Sequence, residues 1–140
     1  MEALISDQNV EVVRRMVEAW QGDDFESWLA TIDPTVEWHT VLERLVEGTE
    51  SFYQGHKGMR RFWHSYRTEF EDFEFESQGL RDVGDDRVVL LGRFRWRGKA
   101  SGVATESPAG LVITVRDGKI IRSFDYFSHQ EAFKAVGLEE

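Results

Sequence analysis

The residues of this sequence that suggest chemistry include four histidines, His39, His56, His64 and His129. No two of them have the His-x-x-x-His spacing that places two ligands on one face of a metal-binding helix. The sequence has no cysteine, which excludes thiol catalysis and disulfides. We therefore expect no metal, and we assign His56, at the start of a predicted helix, a capping or packing role.

Phosphate-binding motifs are absent from the sequence. The segment Gly55-His56-Lys57-Gly58 lacks the spacing of a glycine-rich phosphate loop, and neither a nucleophile elbow nor a dinucleotide fingerprint occurs. The sequence therefore predicts that no cofactor is required.

Charged and aromatic residues alternate in two segments of the C-terminal half, a pattern typical of antiparallel strands. The expected cross-strand pairs are Phe73 with Trp96, Glu74 with Arg95, Phe75 with Phe94, and Glu76 with Arg93. This register gives the sheet one apolar and one charged face. In the simplest interpretation, the charges form a structural ladder of ion pairs.

Four aromatic residues, Trp38, Tyr53, Trp63 and Tyr66, are candidates for the wall of a hydrophobic pocket with two hydroxyls that would orient a ligand. The alternative is that they are ordinary core residues, since an aromatic stripe at helical spacing is usually buried packing.

The length, composition and net charge of the sequence limit the classes of protein that it could encode. The length of 140 residues fits one domain spanning 1–140, and 41% hydrophobic and 13% aromatic residues suffice for a core. The net charge of −9 argues against nucleic acid or an anionic membrane surface as a partner. The longest apolar runs are too short to cross a bilayer, and the N-terminus does not resemble a secretory signal. We expect a cytoplasmic protein.

The helices that must position these residues follow from apolar spacing. A first helix is expected to begin at Ser6 or Asp7 and to end at Gly22. A second should begin at Asp23 or Asp24 and end at Asp33-Pro34, and a third should span about 56–70. A short helix over 130–138 closes the chain.

Strands and turns occupy the remaining sequence. Residues 36–39 alternate like a strand, and 43–54 are predicted to be loop. Gly84-Asp85-Asp86 predicts a turn, and Asp117-Gly118 predicts a type I′ hairpin between two apolar strands. Antiparallel strands therefore form the C-terminal half.

This order of elements resembles the nuclear transport factor 2-like superfamily, in particular its SnoaL-like branch. The segments that carry the resemblance are Asp33-Pro34-Thr35-Val36-Glu37-Trp38, Tyr53 to Phe62, Val115 to Ile121, and Asp125-Tyr126-Phe127. The resemblance implies an α+β fold in which a cone-shaped, strongly curved antiparallel sheet wraps around N-terminal helices and an internal hydrophobic pocket. It also implies that Phe127 contributes to ligand binding.

The resemblance implies acid/base chemistry centred on Asp125. The position of the ketosteroid isomerase base looks like Trp38 here, and an indole does not transfer protons, so His39 or Glu37 would have to substitute. Arg93 and Asp125 resemble the arginine and one aspartate of limonene epoxide hydrolase. The second aspartate is replaced, and SnoaL-like cyclases similarly use a late-strand acid. Asp125 and Arg93 are thus the candidate catalytic residues.

The function expected from these features is binding of a small apolar molecule of polyketide, terpenoid or steroid-like size. Conversion of that ligand would make the protein a cofactor-independent isomerase, cyclase or hydrolase. The alternatives are ligand binding without catalysis and homodimeric assembly through the sheet face.

Overall fold

The computed structural model describes residues 2–41, 50–68, 70–98 and 101–138, with the side chains of 2–6 and 71 excepted. The helices are α1 (Glu2–Gln21), α2 (Phe25–Ala30), α3 (Gly55–Thr68) and α4 (His129–Ala135). The strands are β1 (Ile32–His39), β2 (Phe52–Gln54), β3 (Phe70–Gly84), β4 (Arg87–Gly98), β5 (Ala104–Arg116) and β6 (Lys119–Tyr126).

The ends of the first two helices differ in part from the sequence-based expectations. Helix α1 starts at Glu2, before the predicted caps. Helix α2 has the predicted cap, because an Asp24 carboxylate oxygen accepts a hydrogen bond from Ser27 N at 3.1 Å. It ends at Ala30, before Asp33-Pro34, because the backbone N–H and hydroxyl of Thr31 both donate to Trp28 O. Asp33-Pro34 lies in β1.

The six strands form one curved, unclosed sheet in the order β2-β1-β6-β5-β4-β3. All neighbouring strands are antiparallel except β1 and β6, which run parallel. The sheet is therefore mixed, which corrects the expectation of an entirely antiparallel one. Within the predicted loop, residues 52–54 form β2, whereas 43–49 lie outside the described residues.

The predicted register between β3 and β4 is confirmed for three of its four pairs, Glu74 with Arg95, Phe75 with Phe94, and Glu76 with Arg93. Phe73 does not pair with Trp96, because the register shifts between Glu71 and Glu74. Asp72 within this shift has a φ of 54°, a left-handed conformation typical of a bulge.

The Asp117-Gly118 turn is confirmed as a two-residue connection between β5 and β6. Its φ angles of 52° and 77° are the positive pair that a type I′ hairpin requires. Asp85 and Asp86, between β3 and β4, likewise both have positive φ.

The main core lies between the concave face of the sheet and helices α1, α2 and α3. It contains the fully buried side chains of Trp28, Ile32, Met59 and Leu90. A smaller cluster on the opposite face packs Ala132 of α4 against Val89 and Val112. The core therefore covers one face of the sheet, whereas α4 covers part of the other.

Candidate functional site

A cavity of about 50 Å³ lies inside the main core, between the concave face of the sheet and α1, α2 and α3. Eight of its thirteen lining residues are aromatic, and Asp125 is the only acidic or basic residue among them. An ordered water needs roughly 10–15 Å³ of such space, so the cavity has room for a few water-sized groups.

Asp125 reaches this cavity because of the strand register. It lies opposite Leu111 on β5, which in turn lies opposite Leu90 on β4, and residues directly opposite one another share a face. That face is the concave one, and the Asp125 side chain is buried there with a residue exposure of only 4%. A carboxyl group therefore replaces an apolar residue in the core.

The Asp125 carboxyl is incompletely hydrogen-bonded. The Thr40 side chain provides one hydrogen bond. The parallel pairing of Trp38 with Ser123 and of His39 with Phe124 explains why Thr40 and Asp125 are neighbours. Oδ1 of Asp125 has no partner among the described residues. A buried acceptor without a hydrogen-bond partner lowers the stability of the folded state by about 1–3 kcal/mol.

Burial raises the pKa of Asp125 from 3.8 to about 7, against the opposing effect of the Thr40 hydrogen bond. A carboxyl with this pKa is present in both the protonated and ionised forms near neutral pH. It can therefore either accept or donate a proton under physiological conditions.

Two further residues that line the cavity carry a polar group, the indole N–H of Trp38 and the hydroxyl of Tyr66. Both are buried, and neither has a hydrogen-bond partner among the described residues. Burial raises the pKa of Tyr66 well above 10.0, and the charge of nearby Asp125 adds to the effect. The Thr40 side chain, beside the Tyr66 hydroxyl, opposes this rise in pKa.

Arg93 does not line this cavity, contrary to the expected pairing with Asp125. Along β4 it alternates with Phe94, which is buried on the concave face, so its side chain lies on the opposite face of the sheet. There its guanidinium Nη1 is 3.8 Å from a carboxylate oxygen of Glu106. Arg95 joins the same ladder, 2.8 Å from both Glu76 and Glu106.

The five expected ligand-binding aromatics divide into two groups. Trp38 and Tyr66 line the cavity with Asp125, whereas Tyr53, Trp63 and Phe127 do not. Tyr53 is fully buried in the core, and its hydroxyl accepts from Glu50 N at 3.0 Å.

Trp63 packs at the edge of the core, with the guanidinium of Arg67 3.3 Å from its ring centroid. Phe127 follows β6 and borders two outer recesses. The sequence alone could not distinguish Tyr53, Trp63 and Phe127 from the cavity-lining Trp38 and Tyr66. Ordinary core positions and cavity walls both favour aromatic residues.

Two of the candidate histidines, His56 and His39, have structural contacts. Nε2 of His56 lies 2.8 Å from Ile32 O, which agrees with the expected packing role. His39 stacks on Phe124 at 4.3 Å and lies 3.9 Å from Glu37, away from the cavity. Neither His39 nor Glu37 can therefore substitute for a base at Trp38. Within the described ranges, no cluster of potential metal ligands occurs.

Thr40 is a site residue that the sequence analysis missed. Its position two residues after Trp38 predicts the same face of a strand, but only the pairing of β1 with β6 brings it to Asp125. Parallel pairing between segments so far apart in sequence has no local signal.

A larger recess of about 650 Å³ borders the cavity and shares Trp20, Tyr66, Phe73 and Phe75 with it. Its rim includes the exposed side chain of Asp23, so the recess faces solvent. These four rings therefore line both the cavity and the recess.

Comparison with known proteins agrees with this architecture. The family model described as "SnoaL-like domain" matches residues 13–123. Comparison with curated proteins finds no match. Among the described helices, none is both long and apolar enough to span a membrane.

Several solved structures have the same fold at low sequence identity. TerC, co-crystallised with polyporic acid, is 22% identical with a TM-score of 0.75, covering 93% of this chain and 98% of its own. Bal32a, from a soil-derived mobile gene cassette, is 20% identical with a TM-score of 0.79, covering 94% and 98%. A candidate SnoaL-like polyketide cyclase from Jannaschia sp. CCS1 is 19% identical with a TM-score of 0.70, covering 96% and 94%.

Proposed function

Because this chain belongs to the SnoaL-like domain family, we propose that its cavity binds a small, mainly apolar molecule and that Asp125 transfers a proton to or from it. The observation that carries the proposal is the buried carboxyl of Asp125, with one unpaired oxygen, in a cavity of aromatic side chains. The reaction class is cofactor-independent isomerisation, cyclisation or hydrolysis. Arg93 has no part in it, since it lies on the other face of the sheet.

The electrostatics of Asp125 suit general acid/base catalysis. A pKa of about 7 keeps both protonation states accessible, and exclusion of water strengthens the base. Positioned acids and bases typically contribute a factor of roughly 10² to 10⁴ to a rate.

The size of the ligand requires movement of the aromatic wall. The cavity of about 50 Å³ is too small for a polyketide or terpenoid, whereas the adjoining recess has about 650 Å³. A ligand that displaces the shared rings would occupy both spaces. Its polar group would then lie at Asp125 and its apolar body against Trp20 and Phe73.

The test is deuterium exchange into 2-tetralone, an aromatic bicyclic ketone with weakly acidic C–H groups, followed by NMR in D₂O. We expect the protein to accelerate exchange over buffer, with a rate that rises through about pH 7 as Asp125 ionises. The Asp125→Asn variant should lose at least about 100-fold of the acceleration. Asp117→Asn, at an exposed turn, is the matched control and should retain it.

Two results would count against the catalytic proposal: exchange no faster than in buffer, or full exchange by Asp125→Asn. Binding of 2-tetralone without exchange would favour the alternative, a protein that holds its ligand unchanged.

Assembly through the sheet face has less support from the described residues. Phe94 and Trp96, the apolar residues that such a face would need, are buried in the main core. The outward side chains that alternate with them include Arg93 and Arg95, which already have acidic partners. Measurement of molecular mass in solution would establish the oligomeric state directly.

A further inference from the structure

A recess on the face of the sheet opposite the cavity brings together two residues that do not line the cavity, Arg93 and Phe127. It has a volume of about 350 Å³, and Pro108 of β5 and His129 of α4 also line it. Its surface includes polar as well as apolar atoms. The volume of this space, the Arg93 recess, lies within the range of small-molecule sites, about 300–1,000 Å³.

The ionisable residues of the Arg93 recess are all basic. Arg93 and His129 line it, and no aspartate or glutamate does so within the described ranges. The cavity, the larger recess and two further recesses each include at least one carboxylate. In a chain of net charge −9, this local excess of basic groups favours an anion over a cation.

The guanidinium of Arg93 is available to a ligand. The carboxylate oxygen of Glu106 lies 3.8 Å from its Nη1, beyond hydrogen-bond distance. This ion pair is the only polar contact of the Arg93 side chain within the part of the chain that the structure describes, and 40% of the side chain is exposed. Glu76, the residue opposite Arg93, lies 2.8 Å from Arg95, as does Glu106. The acids of the ladder therefore bind Arg95 and leave the donors of Arg93 free.

The wall of the recess that α4 provides is held in place by hydrogen bonds. Nε2 of His129 lies 3.0 Å from Gly92 O, and because a carbonyl oxygen only accepts, Nε2 carries the proton. At the start of α4, Oγ of Ser128 accepts a hydrogen bond from Glu131 N at 3.1 Å. The recess is therefore formed before any ligand binds.

The remaining wall is suited to an apolar group. Phe127 precedes α4, and Pro108 lies directly opposite Arg93 on β5. A ring and a pyrrolidine thus lie in the same recess as a guanidinium, whose planar fork matches the two oxygens of a carboxylate. This combination suits a molecule with one anionic end and one apolar end.

We infer that the Arg93 recess is a second ligand site, which binds a small carboxylate that carries an apolar group. The carboxylate accepts hydrogen bonds from the guanidinium of Arg93, and the apolar group lies against Phe127 and Pro108. Because the recess and Asp125 are on opposite faces of the sheet, this site is separate from the proposed proton transfer.

The test compares three probes by NMR titration of the full chain at pH 7: phenylacetate, phenylacetamide and acetate. Phenylacetamide has the shape of phenylacetate without its charge, and acetate has the charge without the ring. Phenylacetate should bind at least about tenfold more tightly than phenylacetamide, as expected for hydrogen bonds to a charged group. It should bind at least about threefold more tightly than acetate, because the ring leaves water. The largest shifts should occur at the amides of Gly92 and residues 127–129.

Variants of exposed or half-exposed residues assign the binding to Arg93. Arg93→Gln should weaken phenylacetate binding at least about fivefold. Arg97→Gln is the matched control, since Arg97 lies on the same face of β4 but does not line the recess, and its effect should stay below about twofold. Glu106→Gln removes the carboxylate 3.8 Å from Arg93 and should tighten binding.

The inference is overturned if phenylacetate shows no saturable binding, if phenylacetamide binds as tightly, or if the shifts map away from the recess. Equal losses of affinity in Arg93→Gln and Arg97→Gln, or a loss in Glu106→Gln, would also overturn it. A loss of more than about twofold in Asp125→Asn would place the probe in the cavity and have the same meaning. The proposed function is tested separately, because Arg93→Gln should retain the exchange of 2-tetralone.

Discussion

The burial of Asp125 lowers the stability of the folded protein and also suits the residue to proton transfer. Its carboxyl replaces an apolar group on the concave face, has one unpaired oxygen, and has a pKa of about 7. These features lower the stability of the folded chain at neutral pH, because burial penalises the ionised form. The same features allow proton transfer, which accounts for a polar residue at this position.

The raised pKa of Asp125 predicts a specific dependence of stability on pH. Below about pH 3.8 both the folded and unfolded chains hold the proton, and the carboxyl carries no ionisation penalty. Between 3.8 and about 7 only the unfolded chain releases it, so stability falls as pH rises. Above about 7 the deficit is constant at roughly 4 kcal/mol, from about three pH units at ~1.4 kcal/mol each.

The Asp125→Asn variant should therefore be more stable than the wild type at pH 8, by up to about 4 kcal/mol, and should lose this advantage below pH 4. Urea denaturation at several pH values measures the difference, and subtracting the two curves cancels the other titrating groups. A difference that does not vary with pH would show that Asp125 has an ordinary pKa. Asp117→Asn should follow the wild-type curve.

At the scale of elements, the pairing of β3 with β4 shapes the cavity wall. Phe75 lines the cavity and packs over Gly92 of β4. A Cβ at Gly92 would lie 2.3 Å from Glu76 O and 2.5 Å from Cζ of Phe75, so there is no room for a side chain. The glycine thus allows the Phe75 ring to lie close to the sheet.

Substitution of Gly92 tests this close approach. Gly92→Ala should destabilise the protein by about 1–3 kcal/mol, because Phe75 and the neighbouring backbone must shift. Gly79→Ala on β3 is the matched control, since a Cβ there meets no atom within 4 Å. Thermal unfolding of the two variants provides the comparison, and equal losses of stability would show that packing around Gly92 relaxes freely.

At the scale of the whole molecule, Arg67 of α3 links the helices beside the recess. Its Nε lies 2.7 Å from an Asp23 carboxylate oxygen, and Nη2 donates to Trp20 O at 3.1 Å. The guanidinium also stacks on Trp63 and lies over Trp20, one of the rings that line both the cavity and the recess. Arg67 therefore holds the end of α1 against α3 beside the recess.

Removal of the Arg67 contacts should destabilise the folded protein. Arg67→Ala should cost about 1–3 kcal/mol in free energy of unfolding, from the lost hydrogen bonds and ring contacts. Arg60→Ala on the same helix removes a guanidinium 5.2 Å from the Phe25 ring and should cost less than about 1 kcal/mol. Urea denaturation measures both, and a similar effect of the two changes would show that Arg67 has no special linking role.

The sequence alone was sufficient for features set by short-range periodicity. The helical spacing that gave α3, the Asp117-Gly118 hairpin and most of the β3–β4 register depend on residues near one another or on a two-residue alternation. Alternation along β4 also places Arg93 and Phe94 on opposite faces. The order of elements was enough to indicate the family, which the match over residues 13–123 shows.

Tertiary structure decided which groups meet. The sheet buries the face that includes Phe94, and this choice separates Arg93 from Asp125. The parallel pairing of β1 with β6 brings Trp38 to the same cavity as Asp125, and it brings Thr40 within hydrogen-bonding distance of the Asp125 carboxyl. The physical reason is that hydrophobic burial acts on whole faces assembled from distant strands, whereas local patterns define only the two faces of each strand.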